Sequence, residues 1–99
     1  MTLTGRQKRA LKSKGMTMED DLRLGTAGIS EGFVAHLDSL LSRKELVKLR
    51  FADLEGSARK TLAAEVGEAS GAEVIGVVGR TMLLYRANPE LPADQRALE

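Results

Sequence analysis

Two kinds of apolar spacing alternate along this chain, and that alternation restricts its fold more than any single motif does. Phe33, Val34, Leu37, Leu40 and Leu41 recur at the three-and-four spacing of a helix. From Leu46 to Phe51 the period switches to two, with Val47, Leu49 and Phe51 on one face and Lys48 and Arg50 on the other. The first segment reads as a helix capped by Ser30, with Ile29 placed to staple onto Val34. The second reads as a half-buried strand with a basic outer face.

The same reading extends in both directions. Thr4-Gly5-Arg6-Gln7 forms a capping box that opens a helix running to about Lys14, with Gly15 as its C-cap and Leu3, Gln7, Ala10 and Leu11 inward. Asp21-Leu22-Arg23-Leu24 predicts a short strand. Asp53 to Ser57 turns into a third helix over about 57–70, with Leu62, Ala63, Val66 and Ala69 inward, Ser57 as a cap and Gly71 as its end. Glu73–Val78 and Thr81–Arg86 predict two strands joined at Gly79-Arg80, a glycine-first pair suited to a two-residue hairpin. Beyond Ala87, Pro89 and Pro92 among scattered charges predict a flexible tail. The expected division is a domain over 1–86 and a tail over 87–99.

Helix, strand, helix, strand, helix, strand, strand is an α/β order. Parallel strands joined by right-handed crossovers and finished by an antiparallel hairpin give a mixed four-stranded sheet packed on helices. With 99 residues there is room for one such domain and one modest core.

Charge points to a partner only through its distribution. The formal net charge is +1. Residues 1–17, however, carry Arg6, Lys8, Arg9, Lys12 and Lys14 and no acid, leaving ten Lys/Arg against fourteen Asp/Glu elsewhere. Such asymmetry is the footprint of an anion-facing surface on a solubilised body. No apolar run is long enough to span a bilayer, and the first residues lack a secretory layout, so no membrane and a cytoplasmic location are expected. The absence of cysteine excludes disulfides, thiolate metal sites and a cysteine nucleophile.

Catalytic chemistry finds little to work with. His36 is the only histidine and sits mid-helix, where a surface or partly buried role is the ordinary one. The serines have no evident base partner. Glu19-Asp20-Asp21 could attract magnesium, but three consecutive carboxylates do not by themselves converge on one ion, and a solvated loop explains them. No enzyme, cofactor or metal is expected.

What remains is the strand–Gly25-Thr26-Ala27-Gly28–helix unit. Two glycines three apart let the backbone turn sharply and approach a ligand closely. Placed before a helix, the loop directs amide N–H groups and the positive end of the dipole at one spot, which suits a phosphate. Aromatic residues are only Phe33, Phe51 and Tyr85, and both phenylalanines fall on inward faces, so an exposed base-stacking sheet is not expected. The candidate RNA-contacting set is Gly25, Thr26, Ala27 and Gly28 with Arg6, Lys8, Arg9, Lys12 and Lys14. Lys48, Arg50, Arg80 and Arg86 are secondary members.

These residues resemble a known family. Leu3-Thr4-Gly5-Arg6-Gln7-Lys8-Arg9-Ala10-Leu11-Lys12 is similar to the opening helix of the CRM domain (chloroplast RNA splicing and ribosome maturation) in its bacterial YhbY-like form. Gly25-Thr26-Ala27-Gly28-Ile29-Ser30-Glu31-Gly32 resembles its Gly-x-x-Gly loop and helix start. Lys44 to Phe51 resembles its central strand, and Val74 to Arg80 with Leu84-Tyr85-Arg86 its closing hairpin. The resemblance covers about residues 3–86, in order and in spacing. It implies a fold similar to the C-terminal domain of translation initiation factor three, and association of a monomeric single domain with large-subunit ribosomal RNA or its precursor particle. A module docking on a ribosomal protein, or an RNA-splicing or chaperone accessory factor, is the alternative. The loop departs from many relatives in having Thr26 and Ala27 where a lysine or another polar residue is common, and the strand before it is more acidic.

Overall fold

In a computed structural model, which describes residues 3–25, 28–52 and 55–98, the Thr4–Gln7 capping box closes as read. The Gln7 amide donates to Thr4 Oγ1 at 3.1 Å and the Thr4 amide to Gln7 Oε1 at 2.9 Å. The elements that follow are α1 (Gly5–Thr17), β1 (Leu22–Leu24), α2 (Glu31–Lys44), β2 (Leu46–Phe51), α3 (Gly56–Ser70), β3 (Glu73–Val78) and β4 (Thr81–Tyr85), with a short 3-10 turn at Ala93–Gln95. The sheet order is β1-β2-β4-β3. β1 runs parallel to β2, and β4 is antiparallel to both β2 and β3, so the sheet is mixed as expected.

Strand alternation divides the apolar residues between two faces. Val47, Leu49, Phe51, Met82 and Leu84 meet Leu37, Leu41, Ala63 and Val66 of α2 and α3. Leu46, Ile75 and Tyr85 meet Leu11 of α1, and Leu3 just before it, on the other side. The structure is therefore a sheet with two helices on one face and a single helix on the other. A bulge in β3 between Val74 and Gly76 makes this division possible there. It sends Val74 and Val77 to the two-helix core and Ile75 to the α1 side.

Several local expectations are corrected. Gly15 is not the C-cap of α1: the helix continues to Thr17 and Met18 caps it. Gly15 is instead buried, because a Cβ there would overlap the Leu83 side chain on which α1 rests. Ala10 is exposed. In α3, Glu55 rather than Ser57 is the N-cap, and Gly67 and Ser70 rather than Ala69 face the core. Gly67 allows close approach, since a Cβ would lie 3.0 Å from Val74 Cγ2. Gly71 ends α3 in the left-handed region at φ 68°, as expected, and Gly79 opens the two-residue hairpin at φ 58°.

The segment after Ala87, expected to be flexible, is docked. Ala97 is buried against the α1-side cluster, and Leu98 packs on the same cluster. Glu45 holds the segment. Its fully buried carboxylate accepts from the Ala97 amide at 2.7 Å, the Asn88 amide at 2.6 Å and Arg96 Nε at 3.2 Å. Composition predicted looseness, whereas a carboxylate 52 residues upstream satisfies the backbone of the segment.

Candidate functional site

After β1 the Gly28 amide donates to the Gly25 carbonyl at 3.1 Å. Gly28 has φ 82°, which a residue with a side chain adopts only with strain, and a Cβ at either glycine would meet nothing within 4 Å. Both glycines thus leave open space toward solvent, as a phosphate-approach loop requires. Thr26 and Ala27 lie outside the described residues.

The helix that follows is capped as read. Ser30 Oγ accepts from the Phe33 amide at 3.1 Å, and the Ser30 carbonyl accepts from the Val34 amide at 3.0 Å. This leaves the Glu31 and Gly32 amides without an intrahelical acceptor, the condition under which a helix start binds an anion. Glu31 is itself in the first turn and partly offsets the positive end of the dipole. The loop therefore offers backbone donors but only a weak field.

The sheet sets where the loop points. Leu24 pairs with Phe51, Arg50 with Thr81, and the Phe51 amide donates to the Arg80 carbonyl at 2.8 Å. The glycine loop and the Gly79-Arg80 hairpin consequently share one end of the sheet. α1 crosses the opposite face from α2, its N-terminal part near Glu73 and Tyr85 and its C-terminal part near Leu83.

The basic candidates separate into two groups. Lys48 Nζ donates to the Gly15 carbonyl at 3.0 Å and the Met18 carbonyl at 3.1 Å, so it caps the C-terminus of α1. Arg50 Nε is ion-paired with Asp20. Arg86 donates to the carbonyls of Ser70 at 2.8 Å and Asp38 at 3.1 Å and pairs with the Asp38 carboxylate at 2.8 Å, clamping α2 and α3 to the end of β4. The basic outer face expected of β2 is thus engaged inside the fold. Arg80 stands in the hairpin and is exposed.

In α1, Lys14 Nζ donates to the Ala97 carbonyl, and Lys8 lies 4.0 Å from a Glu73 carboxylate oxygen. Arg6, Arg9 and Lys12 are exposed, and among the described residues no carboxylate pairs with them. Of the three acids that follow α1, two are already engaged. Asp20 pairs with Arg50, and Asp21 pairs with Lys44 and accepts from the Lys48 amide at 3.0 Å. Of the acidic loop expected to be solvated before β1, Glu19 is exposed, whereas Asp20 and Asp21 are ties to β2 and to the end of α2. Neutralising these acids internally leaves α1 as a cationic face.

His36 is exposed on α2, and among the described residues no group of three or more His, Cys, Asp or Glu side chains could hold a metal ion. Glu45 is absent from the set of residues expected from the sequence. It is the C-cap of α2 at φ 64°, the one non-glycine residue at positive φ among those described. One signal was present: α2 ends at Lys44 and β2 begins at Leu46 with neither glycine nor proline between them. A single-residue reversal of that kind forces an unusual backbone, which persists only where other contacts hold it.

Comparison with known proteins agrees with this geometry. The CRS1/YhbY (CRM) domain matches residues 3–86. A Pseudomonas aeruginosa protein named a probable RNA-binding protein is 33% identical over 90 residues, covering 91% of this chain and 86% of its own. A Haemophilus influenzae protein named an RNA-binding protein is 26% identical over 89 residues, covering 90% of each. The solution structure of a Staphylococcus aureus protein inferred to bind RNA superposes with a TM-score of 0.79 at 31% identity, covering 90% of this chain and 93% of that one.

Proposed function

Because the chain belongs to the CRS1/YhbY (CRM) domain family, we propose that it is a monomeric, non-catalytic RNA-binding protein that acts in the cytoplasm during ribosome assembly, on large-subunit ribosomal RNA. The observation that carries this reading is the cationic face of α1, on which Arg6, Arg9 and Lys12 remain exposed while Asp20 and Asp21 are paired elsewhere. The names of its relatives support an RNA partner, and the glycine loop adds a second point of backbone contact. A strand of RNA lying along α1, 13 residues and about 20 Å long, would reach the end of the sheet where Gly25 and Gly28 stand.

Such a grip is mostly electrostatic and reads shape more than sequence. The test replaces Thr26 and Ala27 by Asp and measures affinity for a labelled RNA together with circular dichroism. Affinity should fall with the spectrum native. A native spectrum with undiminished affinity would remove the loop from the reading. Sedimentation of cell extracts addresses the particle: the protein should travel with large-subunit precursors, and its absence from them would sink the ribosomal part alone.

A further inference from the structure

A groove of about 460 Å³ runs between the C-terminal half of α1 and the β3–β4 hairpin. Met16 and Val78 line it at 82% and 75% exposure, the two large apolar side chains most open to solvent among the described residues. Met82 and Leu83 are also in its wall, and Lys12 and Lys48 are its charged members, with no carboxylate among the lining residues. Lys48 Nζ has three N–H donors and uses two of them on the Gly15 and Met18 carbonyls, so one remains.

We infer that this groove receives an unpaired nucleobase of the bound RNA, its ring face on Met16 and Val78 and its phosphate on Lys12. The inference rests on the RNA-binding reading and adds to it a base subsite. Charge complementarity selects the occupant. An apolar lining with two cations suits a flat apolar group joined to an anion. Lys12 also continues along α1 into Arg9 and Arg6 at three-residue spacing, a row that matches a polyanion. The volume suits a group of small-molecule size, not a docked helix. A thioether against a ring is a favourable contact, and it supplies what the two inward-facing phenylalanines cannot.

The experiment compares a single-stranded oligouridylate with an oligonucleotide of the same length and charge lacking bases at its central positions, titrated by fluorescence anisotropy across salt concentrations. The wild-type chain should prefer the base-bearing strand by about fivefold, the low end of what one stacked base contributes. Met16→Gln and Val78→Thr, singly and together, should abolish that preference and leave affinity for the abasic strand unchanged. Equal binding of both strands with steep salt dependence overturns the groove and leaves the RNA reading intact. Binding of neither strand overturns both. A preference that survives in the double variant shows the base is held elsewhere and overturns the inference. So does an acidic amphipathic peptide that shifts the Met16 and Val78 methyl resonances where the oligouridylate leaves them unmoved.

Discussion

Neutralising the exposed cations of α1 should weaken RNA binding by an amount that the structure sets in advance. Of the five bases in α1, Lys8 faces Glu73 and Lys14 is held by Ala97, so Arg6, Arg9 and Lys12 are the groups free to displace counterions. For single strands, log K falls with log salt at about 0.7 per phosphate neutralised, so each contact contributes about fivefold in affinity at about 0.1 M salt. Replacing all three by Gln should therefore lower affinity about a hundredfold at that salt and flatten the slope by about 2. The assay is anisotropy of a labelled single-stranded RNA titrated at a series of potassium chloride concentrations. Arg50→Gln and Arg86→Gln serve as the comparison. They break contacts inside the fold, so stability should fall while the salt slope barely moves. If the triple variant keeps its slope, or if the comparison variants flatten it as much, the assignment of α1 as the phosphate-facing surface is wrong.

Glu45→Gln should destabilise the fold by about 3 kcal/mol, because one amide oxygen cannot accept what the buried carboxylate accepts and the NH2 group then faces backbone donors. Guanidinium unfolding measures the loss, and amide exchange at Ala97 should speed up. In a chain cut after Ala87 the same substitution should cost far less, and an equal cost there would refute the docking role. Gly28→Val should cost about 1–2 kcal/mol through its backbone angle alone, since the site is sterically open. Gly25→Ala, where no positive φ is required, should be nearly neutral by the same unfolding assay. The Tyr85 hydroxyl has its pKa raised above its ordinary value near 10, by burial first and by the Glu45 charge second, with Arg96 opposing. The unfolded chain then ionises more readily than the folded one, so the stability Tyr85 contributes is intact below pH 10 and is lost as pH rises through the folded pKa. Tyr85→Phe should remove that alkaline loss, which unfolding curves at high pH will show.

Most of the fold was legible along the chain because its determinants are local. The capping box at Thr4, the Ser30 cap, the helical recurrence from Phe33 to Leu41 and the period-two run of Val47, Leu49 and Phe51 each depend on neighbours within a turn or a strand. Gly71 and Gly79 were legible for the same reason, since positive φ is a property of one residue. The misreadings concern contacts made across the fold. Gly15 has the residue type of a helix end, yet its small size lets α1 rest on Leu83, 68 residues away in sequence. The segment after Ala87 has the composition of a tail, yet Glu45 captures its amides.

The candidate site divides along the same line. The sequence alone determined the glycine loop, the cap behind it and the concentration of base in the first helix. These arise from residue type and spacing, which folding does not alter. Which cations are available is settled by the folded arrangement. Lys48, Arg50 and Arg86 look as basic along the chain as Arg6, Arg9 and Lys12. A charge is available to a partner only when no carboxylate or helix carbonyl has come to meet it, and that depends on which distant segments the sheet and helices bring together.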